Sequence, residues 1–245
     1  MEIAARFEHK YVLPLAERDA LLARFAGRFE PDTVGGPGGR YPVVSVYCDT
    51  PDLKCHWDAW RGVPSRRKLR LRLYGTQDGA IPAATFVEIK HRDGKDGAKR
   101  RIELPLGQAW ALVTEGATFR SGRSEERIQE EVGRLLDEGF RPTCVIRYDR
   151  QAYRFVDEAG AEQLRITFDH GIRCRFADLR PQPADGGCAL PVLADDLCLM
   201  EVKGATAVPF DFARHLSSRG IFPRPFSKYS ESVRLHRVTP ALSAP

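Results

Sequence analysis

Apolar and polar residues alternate with period two along Ile3–Leu13, Val43–Asp49, Ser65–Tyr74, Ala84–His91, Lys99–Leu104, Thr143–Val156, Gln163–Ile172 and Leu197–Val202. Such alternation marks strands with one buried face, and it predicts about eight of them. Apolar residues fall at helical spacing over Leu15–Phe29, Leu53–Trp60, Gln108–Val113, Ser124–Leu136 and Phe210–Leu216. Ser124 and Arg127 do not form a capping box, but Glu125 and Glu126 suit the first turn of a helix. Gly/Pro-rich Pro31–Arg40, Asp93–Gly97 and Pro181–Pro191 read as loops, the middle one as a hairpin turn. Most connections are short enough for antiparallel pairing, so the expected class is α+β on a large antiparallel sheet. Residues 1–237 are expected to form a single domain, and residues 238–245 a flexible C-terminal tail.

The polar members of the alternation are charged to an unusual degree. Lys68, Arg70 and Arg72 share one strand face, with Leu69, Leu71 and Leu73 on the other. Glu88 and Lys90 form a second row, and Lys99, Arg101 and Glu103 a third. Further rows are Tyr148 with Arg150, Arg165 with Thr167 and Asp169, Glu201 with Lys203, and Arg6 with Glu8 and Lys10. An ordinary half-buried sheet accounts for any one of these strands, its polar face simply lying in water. It fits the set less well, because solvated faces mix Thr, Ser and Gln with Lys. If the helices cover the apolar side of a closed sheet, the charged rows line a barrel's interior. Such an interior would repel itself unless it held a polyanion, with a few carboxylates for a metal.

Composition narrows the classes further. The chain has 245 residues, 38 Lys+Arg against 33 Asp+Glu, and a formal net charge of +5, which is that of an ordinary soluble globular protein. No run of about 18 apolar residues occurs, and the N-terminus lacks the apolar core of a secretion signal. The six cysteines contain no Cys-x-x-Cys pair, so reduced thiols in the cytoplasm are expected rather than zinc or disulfides. No Gly-x-x-x-x-Gly-Lys loop exists, which excludes a P-loop enzyme. The basic rows are flanked by Leu and Ile, not by interleaved aromatics, which argues against nucleic acid as a partner. Asp49-Thr50-Pro51-Asp52 reads as a turn and helix start rather than a catalytic carboxylate. His9 and His91 lie off the charged rows or near a turn, and Trp57, Trp60 and Trp110 are expected in the core.

A sequence of motifs adds to this reading: Glu8–Tyr11, Ser45–Pro51, Arg67–Tyr74, Val87–Lys90, Tyr148–Ala152, Arg165–Asp169, Leu199–Lys203 and Phe226–Tyr229. Each is weak alone. In this order, spanning Glu8 to Tyr229, they resemble the vacuolar transporter chaperone (VTC) domain, the polyphosphate polymerase branch of the CYTH-like triphosphate tunnel metalloenzymes. The resemblance implies an eight-stranded antiparallel β-barrel, the triphosphate tunnel, with helices packed on the outside.

Carried over position by position, the resemblance implies that Lys10, Arg70, Arg72, Lys90, Arg150 and Lys228 grip the phosphates of ATP, triphosphate or polyphosphate. Tyr148 would hydrogen-bond a phosphate oxygen, and Arg165 would sit in the tunnel. Lys68, Arg101 and Ser227 join the substrate-binding set, as does Lys203 beside Glu201. Glu201 would be the principal ligand of a divalent metal, Mn²⁺ or Mg²⁺, with Glu88 and Glu8 as nearby or water-mediated partners. The final Phe226–Tyr229 segment resembles the start of the family's last helix. Relatives that hydrolyse small triphosphates carry Glu-x-Glu-x-Lys on the first strand, and Arg6 replaces the first Glu here. The implied activity is therefore a phosphotransferase making polyphosphate from ATP. A triphosphatase or polyphosphatase is the runner-up, and a polyphosphate-binding module working with a membrane protein is the third reading. The implied location is cytoplasmic, with a peripheral position at the inner face of the membrane where an integral membrane partner is engaged.

Overall fold

The computed structural model describes residues 7–32, 37–75, 85–94, 96–120, 122–182 and 185–237. Arg6 and the 238–245 tail lie outside the described residues. In chain order the elements are β1 (Phe7–Pro14), α1 (Leu15–Arg24), β2 (Phe29–Pro31), β3 (Arg40–Asp49), α2 (Lys54–Trp60), β4 (Arg66–Tyr74), β5 (Thr85–Asp93) and β6 (Asp96–Leu104). They continue with α3 (Leu106–Glu115), α4 (Arg123–Asp137), β7 (Arg141–Val156), β8 (Glu162–Arg175), β9 (Leu190–Pro191), β10 (Leu197–Gly204), α5 (Phe210–Ser218) and α6 (Lys228–His236). The eight long strands answer to the eight alternating stretches. The short β2 and β9 carry no signal, since two or three residues cannot display a period.

The chain gathers into two compact units, each made of three separate stretches. The first comprises residues 1–42, 148–172 and 193–226, and the second 43–147, 173–192 and 227–245. In the first, the strand order is β1-β10-β8-β7, with β2 on β7, and all described pairs are antiparallel. Tyr11, Leu13, Phe155, Ile166, Phe168, Met200 and Val202 form its apolar core with Leu21 and Phe25, and with Phe212 and Leu216 of α5. Each such side chain, fully buried, contributes about 1.5–3 kcal/mol.

In the second unit the order is β7-β3-β4-β5-β6. The register sets Val46 against Leu71, Leu71 against Val87, and Val87 against Ile102, so one apolar row crosses four strands. Helices α3 and α4 pack on β4, β5 and β6 and bury Leu112, Val113, Val132 and Leu135 completely. Glu125 accepts a bond from the Gly122 amide at the start of α4, which is half of a capping box.

Trp60 departs from expectation. It is 73% exposed at the end of α2, with its ring set edge to face against Trp57. Helical spacing placed it one turn from Trp57, but the helix ends there and no layer covers it. All six cysteines are buried and free.

Candidate phosphate and metal site

The first unit builds its charged face around Glu201 on β10. Register puts Glu201 between Lys10 of β1 and Thr167 of β8. Its carboxylate is nearly buried and has three cations at ion-pair distance: Lys10 Nζ at 3.9 Å, Arg150 Nη2 at 3.8 Å and Lys203 Nζ at 3.9 Å. Lys10 also donates to the Phe226 carbonyl at 3.0 Å and reaches Glu8 at 3.2 Å. Lys203 lies 3.7 Å from Glu8, so two lysines bridge the two carboxylates.

Arg150 is fixed by the last member of the Arg165–Thr167–Asp169 row, which parity placed on the charged face without showing its partner. Asp169 of β8, wholly buried, takes two parallel bonds from the Arg150 guanidinium at 2.7 and 2.8 Å. Burial opposes the charge on Arg150, but Asp169 outweighs it, with Glu201 adding to the effect, and holds the guanidinium ionised. The ring of Tyr148 lies beneath that guanidinium at 5.4 Å. Arg165 is held by Asp32 at 3.0 Å.

The second unit carries the rows of β4, β5 and β6. Glu88 is buried, with Arg70 Nε at 2.7 Å and Lys99 Nζ at 3.4 Å. Burial alone would raise its pKa, but the charges of Arg70, Arg72 and Lys99 prevail and lower it to about 2. Arg70 also donates to the Tyr47 hydroxyl at 3.2 Å. Burial would raise the Tyr47 phenol too, yet Arg70, Lys228 and Arg72 overcome it and lower its pKa. Across the same face, Lys68 stands opposite Lys90, and Lys90 opposite Lys99. Like charges directly opposite in a sheet destabilise it; Glu88 beside Lys99 and the Ser227 hydroxyl on Lys68 offset part of that.

Helix α6 brings Lys228 and Ser227 to this face. Ser227 caps the helix by accepting from the Ser230 amide at 3.3 Å, and its hydroxyl also takes a 3.0 Å bond from Lys68. Lys228 is buried at the first helical position, and Tyr229 beside it stacks on Tyr47 with centroids 5.4 Å apart.

Two carboxylates, Glu201 and Glu8, share the lysines of the first unit. Among the described residues no group of three His, Cys, Asp or Glu is assembled for a metal. An all-oxygen pair still fits a hard divalent cation of the Mg²⁺ type, which completes its shell with water and phosphate oxygens. It does not suit a thiolate- or imidazole-seeking metal. Glu88 belongs to the second unit, where Arg70 and Lys99 are its partners.

The expectation that no aromatics interleave the basic rows does not hold on β4 and β5. Tyr74 lies two residues beyond Arg72, and Phe86 two before Glu88, so parity alone places both on the charged side. Tyr47 becomes visible only through its register partner Arg70.

The antiparallel sheet turns apolar rows to helices and charged rows the other way. The chain belongs to the VTC domain family, whose model matches residues 5–236. That membership makes it a phosphoryl-handling domain of the triphosphate tunnel type. A proposed adenylate cyclase of Bacillus halodurans shares the fold at 14% identity, with a TM-score of 0.54 over 94% of this chain and 96% of that one. A protein of Pyrococcus horikoshii OT3 aligns at 13% identity with a TM-score of 0.42, covering 94% of this chain and all of the other. No curated protein matches the chain. No described helix is long and apolar enough to cross a membrane.

Proposed function

We propose that this protein transfers the γ-phosphoryl group of ATP to the end of a polyphosphate chain. The observation that supports the reading best is the side-by-side placing of Lys68, Lys90 and Lys99 in the row that also carries Arg70 and Arg72, a concentration of positive charge that a polyanion would engage. Family membership supplies the expectation of a triphosphate tunnel.

In this reading Arg70, Arg72, Lys90 and Lys228 grip phosphate oxygens in the second unit. Lys10, Arg150, Arg165 and Lys203 do so in the first. Arg gives paired, directional bonds, whereas Lys supplies mobile charge. Ser227 and Tyr148 donate hydroxyl hydrogens to phosphate. The bond between the γ-phosphorus and the ADP oxygen breaks as one forms to a terminal phosphate oxygen of the acceptor, and ADP leaves. Since such transfers pass through loose transition states, positioning and charge neutralisation are the protein's contribution. Glu201, with Glu8, would hold Mn²⁺ or Mg²⁺, and Glu88 would keep Arg70 oriented. When bound, the cation neutralises charge on bridging phosphate oxygens. Passage of a polymer through a bilayer would need an integral membrane partner and a station at the inner face of the membrane.

Incubation of the purified protein with Mn²⁺ and γ-labelled ATP, resolved on a denaturing gel, tests this directly. A metal-dependent ladder that Glu201→Gln abolishes, with polyphosphate binding retained, is the expected result. Label released only as orthophosphate would replace the polymerase by a hydrolase. An unchanged ATP band with polyphosphate still bound would make the protein a binding module.

A further inference from the structure

We infer that Tyr74 and Phe86 form a nucleobase platform at one end of the cationic rows, so that this face takes a nucleoside triphosphate base-first. The inference rests on the phosphate-handling reading above and adds the nucleoside end of the substrate.

The two rings meet edge to face, with centroids 5.7 Å apart. Each has a guanidinium over it, Arg72 at 4.9 Å from the Tyr74 centroid and Arg101 at 4.7 Å from that of Phe86. Register places Phe86 opposite Arg72 on one side and Glu103 on the other. Neither ring belongs to the core: both are only partly buried, on the face that α3 and α4 leave uncovered. Phe86 therefore gives up much of the stabilisation that a buried Phe would provide. Aromatic rings interleaved with arginine are the usual platform for a base, which stacks on the ring and is covered by a guanidinium plane. Arg101 is exposed on β6, where its long side chain has room to shift off Phe86 and close over an inserted base.

Charge sets the direction. Glu103, exposed and beside Phe86, repels phosphate at the aromatic end. Along β5, Glu88 comes next, already neutralised by Arg70 and Lys99, and then Lys90 between two further lysines. From Phe86 to Lys90 is four strand residues, about 13 Å, a span suited to a ribose and an extended triphosphate. The base then lies on Phe86 and Tyr74 and the phosphates run past Arg72 and Arg70 toward the lysine ladder.

Calorimetric titration of ATP and of inorganic tripolyphosphate into the same preparations separates the platform from the phosphate grip. Wild type is expected to bind ATP more tightly than tripolyphosphate. Phe86→Ala, and independently Tyr74→Ala, should weaken ATP binding by about 5- to 150-fold, the worth of one stacked base, with tripolyphosphate affinity unchanged. Phe86→Leu, which keeps apolar bulk and guards against a folding defect, should give most of the Phe86→Ala loss. Equal losses for both ligands, or none for ATP, would overturn the platform and leave the phosphate reading standing. A wild-type protein that binds neither ligand would overturn both.

Discussion

The phenol of Tyr229, in the first turn of α6, donates a 2.6 Å hydrogen bond to Asp49 at the end of β3, and both residues are about 1% exposed. The same carboxylate accepts from the amides of Thr50 and Cys55 at 2.8 Å and of His56 at 3.3 Å. One buried aspartate thus caps α2 and anchors α6. Burial, reinforced by Asp49, pushes the Tyr229 phenol far above the ordinary tyrosine range, so it stays a donor at any usable pH. The bond fixes the turn that carries Ser227 and Lys228.

Tyr229→Phe is accordingly expected to cost about 1.5–3 kcal/mol, as for a hydrogen bond to a charged group. Urea unfolding measures it. A loss below about 0.5 kcal/mol would mean that Asp49 is satisfied by its amides alone.

Glu88 ties stability to pH. Its folded pKa of about 2 lies below the ordinary 4.5, so its stabilisation is complete above pH 4.5 and vanishes as pH falls toward 2. Glu88→Gln should lower stability at neutral pH by at most about 3 kcal/mol. The gap between variant and wild type should close over that acid window. A gap independent of pH would show that packing, not charge, is what Glu88 contributes.

Arg150 and Asp169 are a buried bidentate pair. Arg150→Ala strips buried Asp169 of both guanidinium bonds, and a loss of up to about 3–5 kcal/mol is expected. The double variant Arg150→Met, Asp169→Leu should recover much of the stability and none of the phosphate binding. Denaturant melts and tripolyphosphate titrations on the same samples would read the two effects separately.

His170 gives a second pH signature. Burial, aided by the nearby charges of Arg18 and Arg40 and opposed by Asp169, lowers its pKa to about 4 from 6.5. A neutral folded imidazole stabilises fully above pH 6.5, and that contribution is lost as pH falls toward 4. Thermal melts of His170→Gln should lack the corresponding part of the wild-type decline. An unaltered decline would assign it to other groups.

Much of this was legible in the residues. Alternation located every long strand to within a few positions because a one-sided sheet enforces strict parity on buried side chains. Parity also set Lys68, Arg70 and Arg72 on one face, and the motif order from Glu8 to Tyr229 pointed to the VTC family. Trp60 was misjudged, because spacing shows which face a residue takes and not where the covering layer stops. Tyr74 and Phe86 were readable by the same parity, but that the two rings meet depends on the β4–β5 register.

Cross-strand relations were not readable at all. That Lys90 stands between Lys68 and Lys99, that Asp169 grips Arg150, and that Tyr229 reaches Asp49 across 180 positions depend on register and on how α6 packs. The sequence by itself determined the strand periods, the split between apolar and cationic faces, and the family. Only the tertiary structure decided which charges meet, because pairing distances are set between strands and helices remote in the chain, where local preference has no reach.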